Sequence, residues 1–460
     1  MVESGLKLFD SIRPLCRQER EEKENPMKAA SYPITLTFVV CAFAVSVCAN
    51  AQEDLLKNDF RVSGSTLYQG KQAFVINAIE TPSLMQVSED TSAFATALAR
   101  VSEVGANTIC FDLAGFSGDG KTLAPETPKK ISKMMGQINY RRMGAICRVF
   151  PANAPGDPSY RKAAVKAMAA LLQNERRLIY WIDGPDSESL VQALRKDAPQ
   201  LVIAAERGGD IDVVAATPAA KPNKPTLVLG SIPPRDMRAS VHFMLPDAEE
   251  SYKALDAAMA DPAESKPWTP DNSVLSEQER ADGFISLFDG KTLDGWWILG
   301  DNKNGFKVKD GAIEWAGLGG KALYTRDRYD NFMLRLEWKI NKGGNSGIYL
   351  RAPRANRQSK IGMEFQLQGD HGTPITNQTT GSIYVVVPPR ENATKPEGDW
   401  NSVEITLDGA KMKVVLNGVL IQDLNLDEND ELRTRLRRGF IGLQDHASYA
   451  AFRNIRIKKL

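Results

Sequence analysis

From about residue 60 to 260 the chain alternates unbroken apolar runs with stretches in which apolar residues recur every three or four positions. The runs begin with AFVINAIE (73–80), TICFDLA (108–114), AICRVFP (145–151) and RLIYWIDG (177–184), and continue with QLVIAAE, IDVVAAT, TLVLGSI and SVHFMLP up to residue 246. Between the early ones, stretches such as TSAFATALARVSEVG (91–105) and YRKAAVKAMAALLQNE (160–175) have helical periodicity. Continuous apolar strands separated by helices predict a parallel sheet covered on both faces. Eight such runs predict a small (β/α)8 barrel, with an open doubly wound sheet as the alternative.

The rhythm changes at Gly283. FMLRLEWKI (332–340) and NSVEITLDGAKMKVVLNGVLIQDL (401–424) alternate apolar with polar residues, and turns recur at Asp289-Gly290, Asp310-Gly311, Asp408-Gly409 and Asn417-Gly418. Alternation broken by such turns marks antiparallel strands with one buried face. Residues 283–460 are therefore expected to form an all-β jelly-roll sandwich. The polar stretch 261–282, with its Pro and Ser residues, reads as a linker between this sandwich and the α/β unit of 52–260. A chain of 460 residues is long enough for two separately cored domains.

Charge narrows the partners. The 58 Lys and Arg residues balance 57 Asp and Glu, so no global field favours nucleic acid or an anionic membrane surface. ITLTFVVCAFAVSVCANAQ (34–52) follows Lys28 and ends in Ala49-Asn50-Ala51, a small-x-small cleavage pattern. Residues 1–51 are thus expected to leave as a signal peptide whose true start is Met27. The mature protein is then exported, periplasmic or extracellular, with no membrane insertion. Of five cysteines, only Cys110 and Cys147 would remain. Both lie in apolar runs and read as buried free thiols, with a disulfide across adjacent strands as the alternative.

In a barrel, Asp112, Asp183 and Glu206 would fall near C-terminal strand ends, where barrel chemistry sits. A glycosidase of the ordinary kind needs a carboxylate pair. The seventh run, LVLGSIPP (227–234), ends without a carboxylate, and Asp183 in DGPDSES reads as a helix cap. Binding, or support of the second domain, is the expected role of this half.

The stretch KGGNSGIYLR (342–351) reads, from spacing alone, as a hairpin turn at Gly343-Gly344 leading into an edge strand. Ile348 and Leu350 would take one face of that strand and Tyr349 and Arg351 the other. It is also one of six ordered blocks: GFISLFDGKTLDGWW (283–297), GGNSGIYLR (343–351), MEFQLQGDH (363–371), GSIYVVVPP (381–389), KPEGDWNSVEI (395–405) and GFIGLQDHASYAAFRNIRIKKL (439–460). Together they resemble the 3-keto-disaccharide hydrolase family, built on a concanavalin-like jelly roll. The resemblance implies cleavage of 3-keto-glycosides by elimination of the aglycone and hydration of the unsaturated ketone. A ketone at C3 acidifies the C2 hydrogen, so one base and one enolate-stabilising group can replace the usual carboxylate pair.

On the matched blocks, Glu364 is expected to be the general base or a metal ligand. Gln366, two residues on and facing the same way, would bind sugar hydroxyls. Arg351 offers a planar fork of donors for the enolate, and His446, one of three histidines, a proton-transfer group. Asn345 and Tyr384 are expected to bind substrate, and Trp400 to fill the core. A divalent metal ion on Glu364, His446 or Asp370 is the alternative enolate stabiliser. The chain departs from the family pattern at Met363, where an aromatic is usual, at Asp370, displaced by Gly369, and at Ala447, where glycine is usual. The expected partner is a carbohydrate substrate. A non-catalytic, lectin-like sandwich is the competing reading, because a fold does not fix a function.

Overall fold

The computed structural model describes residues 58–460 apart from residue 64 and segments 152–153, 206–210, 217–223, 234–237, 239–241, 261–267, 299–304 and 316–321. The signal segment, Met27 and Glu206 lie outside the described residues. Among the described residues no helix is long and apolar enough to cross a membrane.

Three short antiparallel strands come first, β1 (Phe60–Ser63), β2 (Thr66–Gln69) and β3 (Gln72–Ala73). The eight apolar runs then form β4 (Asn77–Glu80), β5 (Thr108–Asp112), β6 (Gly144–Arg148), β7 (Ile179–Ile182), β8 (Val202–Ala205), β9 (Val213–Ala216), β10 (Thr226–Leu229) and β11 (His242–Leu245). These pair in parallel in chain order, and β11 pairs with β4, so the sheet closes into a barrel. Helices Thr91–Glu103, Thr127–Tyr140, Pro158–Leu172 and Ser187–Asp197 connect β4 to β8, and Glu249–Met259 follows β11. The connections from β8 to β11 lie largely outside the described residues.

The strands read as continuous apolar runs because both faces are buried. Ala78, Cys110, Ile146, Ile179 and Met244 fill the lumen together with Phe60 and Leu67 of the first small sheet. Ile79, Ile109, Phe111, Cys147 and Tyr180 pack outward under the helices. Cys110 and Cys147, on neighbouring strands, therefore face opposite sides of the barrel wall and remain free buried thiols.

The second half forms two antiparallel sheets from β12 (Ile285–Ser286), β13 (Trp296–Ile298), β14 (Phe306–Lys309), β15 (Ala312–Trp315), β16 (Ala322–Tyr329), β17 (Phe332–Ile340), β18 (Asn345–Ala352), β19 (Met363–Gln368), β20 (Asn401–Asp408), β21 (Lys411–Leu416), β22 (Val419–Asn425), β23 (Gly439–Gln444) and β24 (Ala450–Lys459). One sheet runs β14-β15-β24-β17-β20-β21-β22 with β12 beside β24; the other runs β13-β16-β23-β18-β19. Leu334, Leu336 and Trp338 of β17 share one core with Ile348 and Leu350 of β18 and Phe365 of β19. Each large apolar side chain so buried contributes roughly 1.5–3 kcal/mol.

Two expectations about residues 342–351 are corrected here. Gly343-Gly344 does not make a hairpin, because β17 and β18 belong to different sheets and the turn carries the chain between them. Gly343 has φ +69°, and a Cβ on Gly344 would lie 2.7 Å from Ile340 Cγ1. Nor is β18 an edge strand, since it lies between β23 and β19.

The stretch read as a linker contains structure where it is described. Helix Glu277–Ala281 starts with a capping box in which Ser276 and Glu279 satisfy each other's backbone N–H. Arg456 of β24 holds Glu279 Oε1 at 2.5 Å.

The sandwich docks where three helices of the barrel end. Ala355 N donates to Ser102 O (3.3 Å), Asn356 Nδ2 to Ser102 Oγ (2.7 Å) and Ala106 O (2.8 Å), Arg354 Nη1 to Met259 O (3.3 Å), and Arg357 N to Arg141 O (3.0 Å). Helix C-termini carry unpaired carbonyls and partial negative charge, which suits a donor-rich, cationic loop.

Candidate functional site

The β13-containing sheet carries a row of facing residues. Tyr324 of β16 is opposite Gly442 of β23, Gly442 opposite Tyr349 of β18, and Tyr349 opposite Glu364 of β19. Alternation brings Asn345, Gln366 and Gln444 to the same side. With Tyr384, Asp445 and His446 these side chains line a cavity of about 400 Å³. Five of the six expected site residues, Glu364, His446, Gln366, Asn345 and Tyr384, thus share one cavity.

The glycines make the room. A Cβ on Gly347 would lie 2.5 Å from Glu364 Oε1, and one on Gly442 would lie 2.7 Å from Tyr324 Cε1 and 3.0 Å from Tyr349 Cδ2. Glu364 is only 3% exposed, and burial pushes its carboxyl up to about 8, against the pull of a Gln444 hydrogen bond and the Arg357 and Lys360 charges. Gln444 Nε2 donates to Glu364 Oε1 (3.0 Å) and to Tyr349 Oη (2.7 Å). Burial also raises the Tyr349 and Tyr324 phenols, with the Glu364 carboxylate acting in the same direction, so both stay protonated donors at neutral pH. Tyr349 accepts from Gln444, which leaves its own O–H for a ligand. The Tyr324 hydroxyl has no partner among the described residues, and the neighbouring Gln358 falls short of hydrogen-bond geometry.

Gln366 is 1% exposed; its Nε2 donates to Asn345 Oδ1 (2.9 Å), and its Oε1 has no partner among the described residues. One hydroxyl, that of Ser448, accepts from Asn345 N and donates to Asn345 O, both at 2.7 Å. Ala447 has φ +59°, the conformation that makes glycine usual at that position, and its N–H donates to Asp445 Oδ1 at 2.8 Å. His446 is exposed at the rim.

Arg351 is not in this cavity. Its pairing register with β23 shifts between Tyr349 and Ala352, and its φ is +50°, so a β-bulge interrupts the alternation that would have put it beside Tyr349. The side chain is 0% exposed and donates to Asp330 O through Nε (2.8 Å) and Nη2 (2.5 Å), and to Gly409 O at 3.1 Å. It ties a turn to the strand end and does not line the cavity. Trp400 is likewise outside the core, half-buried with Arg453 4.0 Å and Lys339 4.9 Å from its ring centroid.

Asp370 and His371 also point elsewhere: Asp370 Oδ2 accepts from Thr380 N (2.7 Å), and His371 Nδ1 lies 2.7 Å from Thr394 O. Among the described residues no three His, Cys, Asp or Glu side chains are grouped so as to hold a metal ion. In the barrel, Asp112 is held by Arg148 Nε at 2.6 Å, and Arg148 also lies 3.6 Å from Glu80. Asp183 does not cap the next helix; Asp186 holds the N-cap position, and its carboxylate is bound by Arg161 at 2.9 Å.

Two arginines on the cavity wall carry no sequence signal. Arg357 comes from the docking loop, and Arg142 from the barrel. Helix Thr127–Tyr140 ends in a Schellman motif, with Arg142 N donating to Asn139 O (2.9 Å) and Met143 N to Ile138 O (3.2 Å). Arg142 occupies the left-handed position, φ +59°, where glycine avoids a cost of about 1 kcal/mol.

A curated relative, the 3-keto-disaccharide hydrolase of Bacteroides thetaiotaomicron, is 29% identical over 39% of this chain and 79% of its own. Crystal structures of candidate glycosyl hydrolases from Parabacteroides distasonis include one 28% identical, covering 41% of this chain and 98% of the other with a TM-score of 0.37. A second is 26% identical, covering 38% and 99%, with a TM-score of 0.35. Residues 283–458 match the family described as a 3-keto-alpha-glucoside-1,2-lyase-like domain. The sandwich that holds the cavity is thus the part of the chain that matches the 3-keto-alpha-glucoside-1,2-lyase-like family, at residues 283–458.

Proposed function

We propose that this protein is a glycoside-cleaving enzyme whose sandwich cavity acts on 3-keto-glycosides by elimination and hydration. The observation that carries the reading is Glu364, a buried carboxylate raised to about 8 that shares a cavity with protonated phenols and a rim histidine. A base of that strength suits removal of a proton acidified by a neighbouring ketone. Glu364 takes the C2 proton, and the electron pair passes to the C3 oxygen as an enolate. Tyr349 and Tyr324 donate to that oxygen in place of Arg351. Collapse of the enolate breaks the C1–O bond, and His446 gives the departing oxygen its proton. Water then adds at C1 with its proton returning to His446, while Glu364 reprotonates C2, so the net change is hydrolysis. Around these atoms, Gln366 and Asn345 would hold ring hydroxyls.

The upstream unit is read as a small (β/α)8 barrel that supports this site. Export of the protein rests on the apolar run at 34–52.

The test compares a 3-keto-disaccharide with its unoxidised parent, using wild type and Glu364→Gln. The expected result is cleavage of the keto sugar alone, with kcat/KM rising through an apparent pKa near 8. Deuterium at C2 should slow the reaction, and Glu364→Gln should lose on the order of 10²-fold or more. Binding of both sugars without turnover of either would sink the enzyme reading in favour of a lectin-like sandwich.

A further inference from the structure

We infer that the barrel completes the sandwich's cavity, and that Arg142, beside Arg357, makes it select ligands whose outer portion carries an acidic group. The inference draws on the keto-glycoside reading only for the identity of the inner sugar.

Three observations carry it. The guanidinium of Arg142 makes no hydrogen bond or ion pair with any described residue although it lines the cavity. That of Arg357 contacts the Tyr140 ring, 5.4 Å from its centroid, and has no anionic hydrogen-bond partner among the described residues. Two such cations at one cavity leave planar donor forks suited to a carboxylate or an ester sulfate. Glu364 feels the Arg357 charge but pairs with neither guanidinium, its described hydrogen bond being to Gln444.

Depth then says which part of a ligand they meet. Glu364, Gln366 and Tyr349 are buried, whereas Arg142 is exposed. Arg142, with the half-buried Arg357 beside it, therefore meets what projects from the cavity, which the proposed reaction makes the leaving-group side of a bound glycoside.

Finally, the position is built. Arg142 keeps a long side chain at a left-handed helix end where glycine fits better, which argues against a stabilising role for it there. The hydrogen bond from Arg357 N to Arg141 O holds the two arginine-bearing segments together. Arg142 is thus a specificity-determining residue delivered from outside the family domain.

The full chain is titrated calorimetrically with three unoxidised disaccharides that differ only in the outer residue: glucose, glucuronate and glucose 6-sulfate. Wild type should bind at least one acidic form about tenfold tighter than the neutral one, as a charge-assisted pair implies. That preference should weaken with added salt, fall below about twofold in Arg142→Gln and return in part in Arg142→Lys. The two acidic arms separate carboxylate from sulfate. Arg142→Gly should also lose the preference while melting no lower than wild type, so unfolding cannot account for the loss.

Equal affinity for the three ligands, no binding of any, or a preference unchanged in Arg142→Gln overturns the inference. Turnover of the 3-keto forms reports separately. Keto-sugar cleavage without acid preference overturns this inference alone, and an Arg142-dependent preference without cleavage supports it while overturning the proposed reaction.

Discussion

Glu364 is where a side chain and its surroundings disagree most. Its carboxyl is buried beside a Tyr–Gln network, so the charged form is penalised and the group titrates near 8 rather than at its ordinary 4.5. Between those values the folded protein holds a proton that the unfolded chain has released. Folding stability tied to this residue is therefore present at acid pH and is lost as pH rises from about 4.5 through about 8. Glu364→Gln, which cannot ionise, should gain on wild type over that interval by on the order of 4 kcal/mol. Denaturant titrations at pH 5 and pH 8.5 check this; a constant difference between the two proteins would refute the buried, raised carboxyl. Sequence spacing located Glu364 and Gln366 together because β19 runs unbroken from Met363 to Gln368, so the two-residue period holds. It misplaced Arg351 because one bulged residue reverses every inference made from parity.

At the scale of elements, the cavity is a set of strands in which glycine alternates with the polar side chains that line it. Gly347 faces Gln366 in register and leaves the space that Glu364 Oε1 fills, and Gly442 lies against two tyrosines. Gly347→Ala should leave the sandwich folded, at a cost of about 1–3 kcal/mol for overpacking. Because its Cβ would sit 2.5 Å from Glu364 Oε1, the carboxyl must swing away, and kcat/KM on the keto sugar should drop by at least about tenfold. Activity assays beside a thermal melt test this, and wild-type turnover in the variant would show that Glu364 is not held as described. Gly347 was visible in the sequence within the Gly-Gly-Asn-Ser-Gly run, and Gly442 within GFIGLQ. Their partners were not, because Gly347 meets Glu364 only through the pairing of β18 with β19.

For the whole molecule, the barrel and the sandwich meet through a loop that ends three helices. Asn356, at φ +71°, gives both its side-chain donor bonds to the barrel, to Ser102 Oγ and Ala106 O. Asn356→Ala removes both bonds and puts a Cβ-bearing residue without a compensating side chain into the left-handed region. A loss of about 2–3 kcal/mol is expected, read as a lower denaturant midpoint for the full chain. An unchanged midpoint would mean that the contact contributes nothing to holding the two parts together.

By itself the sequence determined the strands and, where no bulge intervenes, their sidedness. Continuous apolar runs belong to strands buried on both faces and alternating ones to a sandwich, and local hydrophobic period is enough to tell them apart. Ordered blocks from Gly283 onward likewise carried the resemblance to the family that residues 283–458 match, and through it nominated Glu364, Gln366, Asn345, Tyr384 and His446, which share one cavity. Only the tertiary structure decided which sheet each strand joins, where the bulge turns Arg351 inward, and that Tyr324, Tyr349 and Gln444 close around Glu364. It alone brought Arg142 to that cavity, some 200 residues away from Arg357 in the chain. Contacts of that kind depend on how separately patterned segments dock, and no periodicity within either segment encodes the other's position.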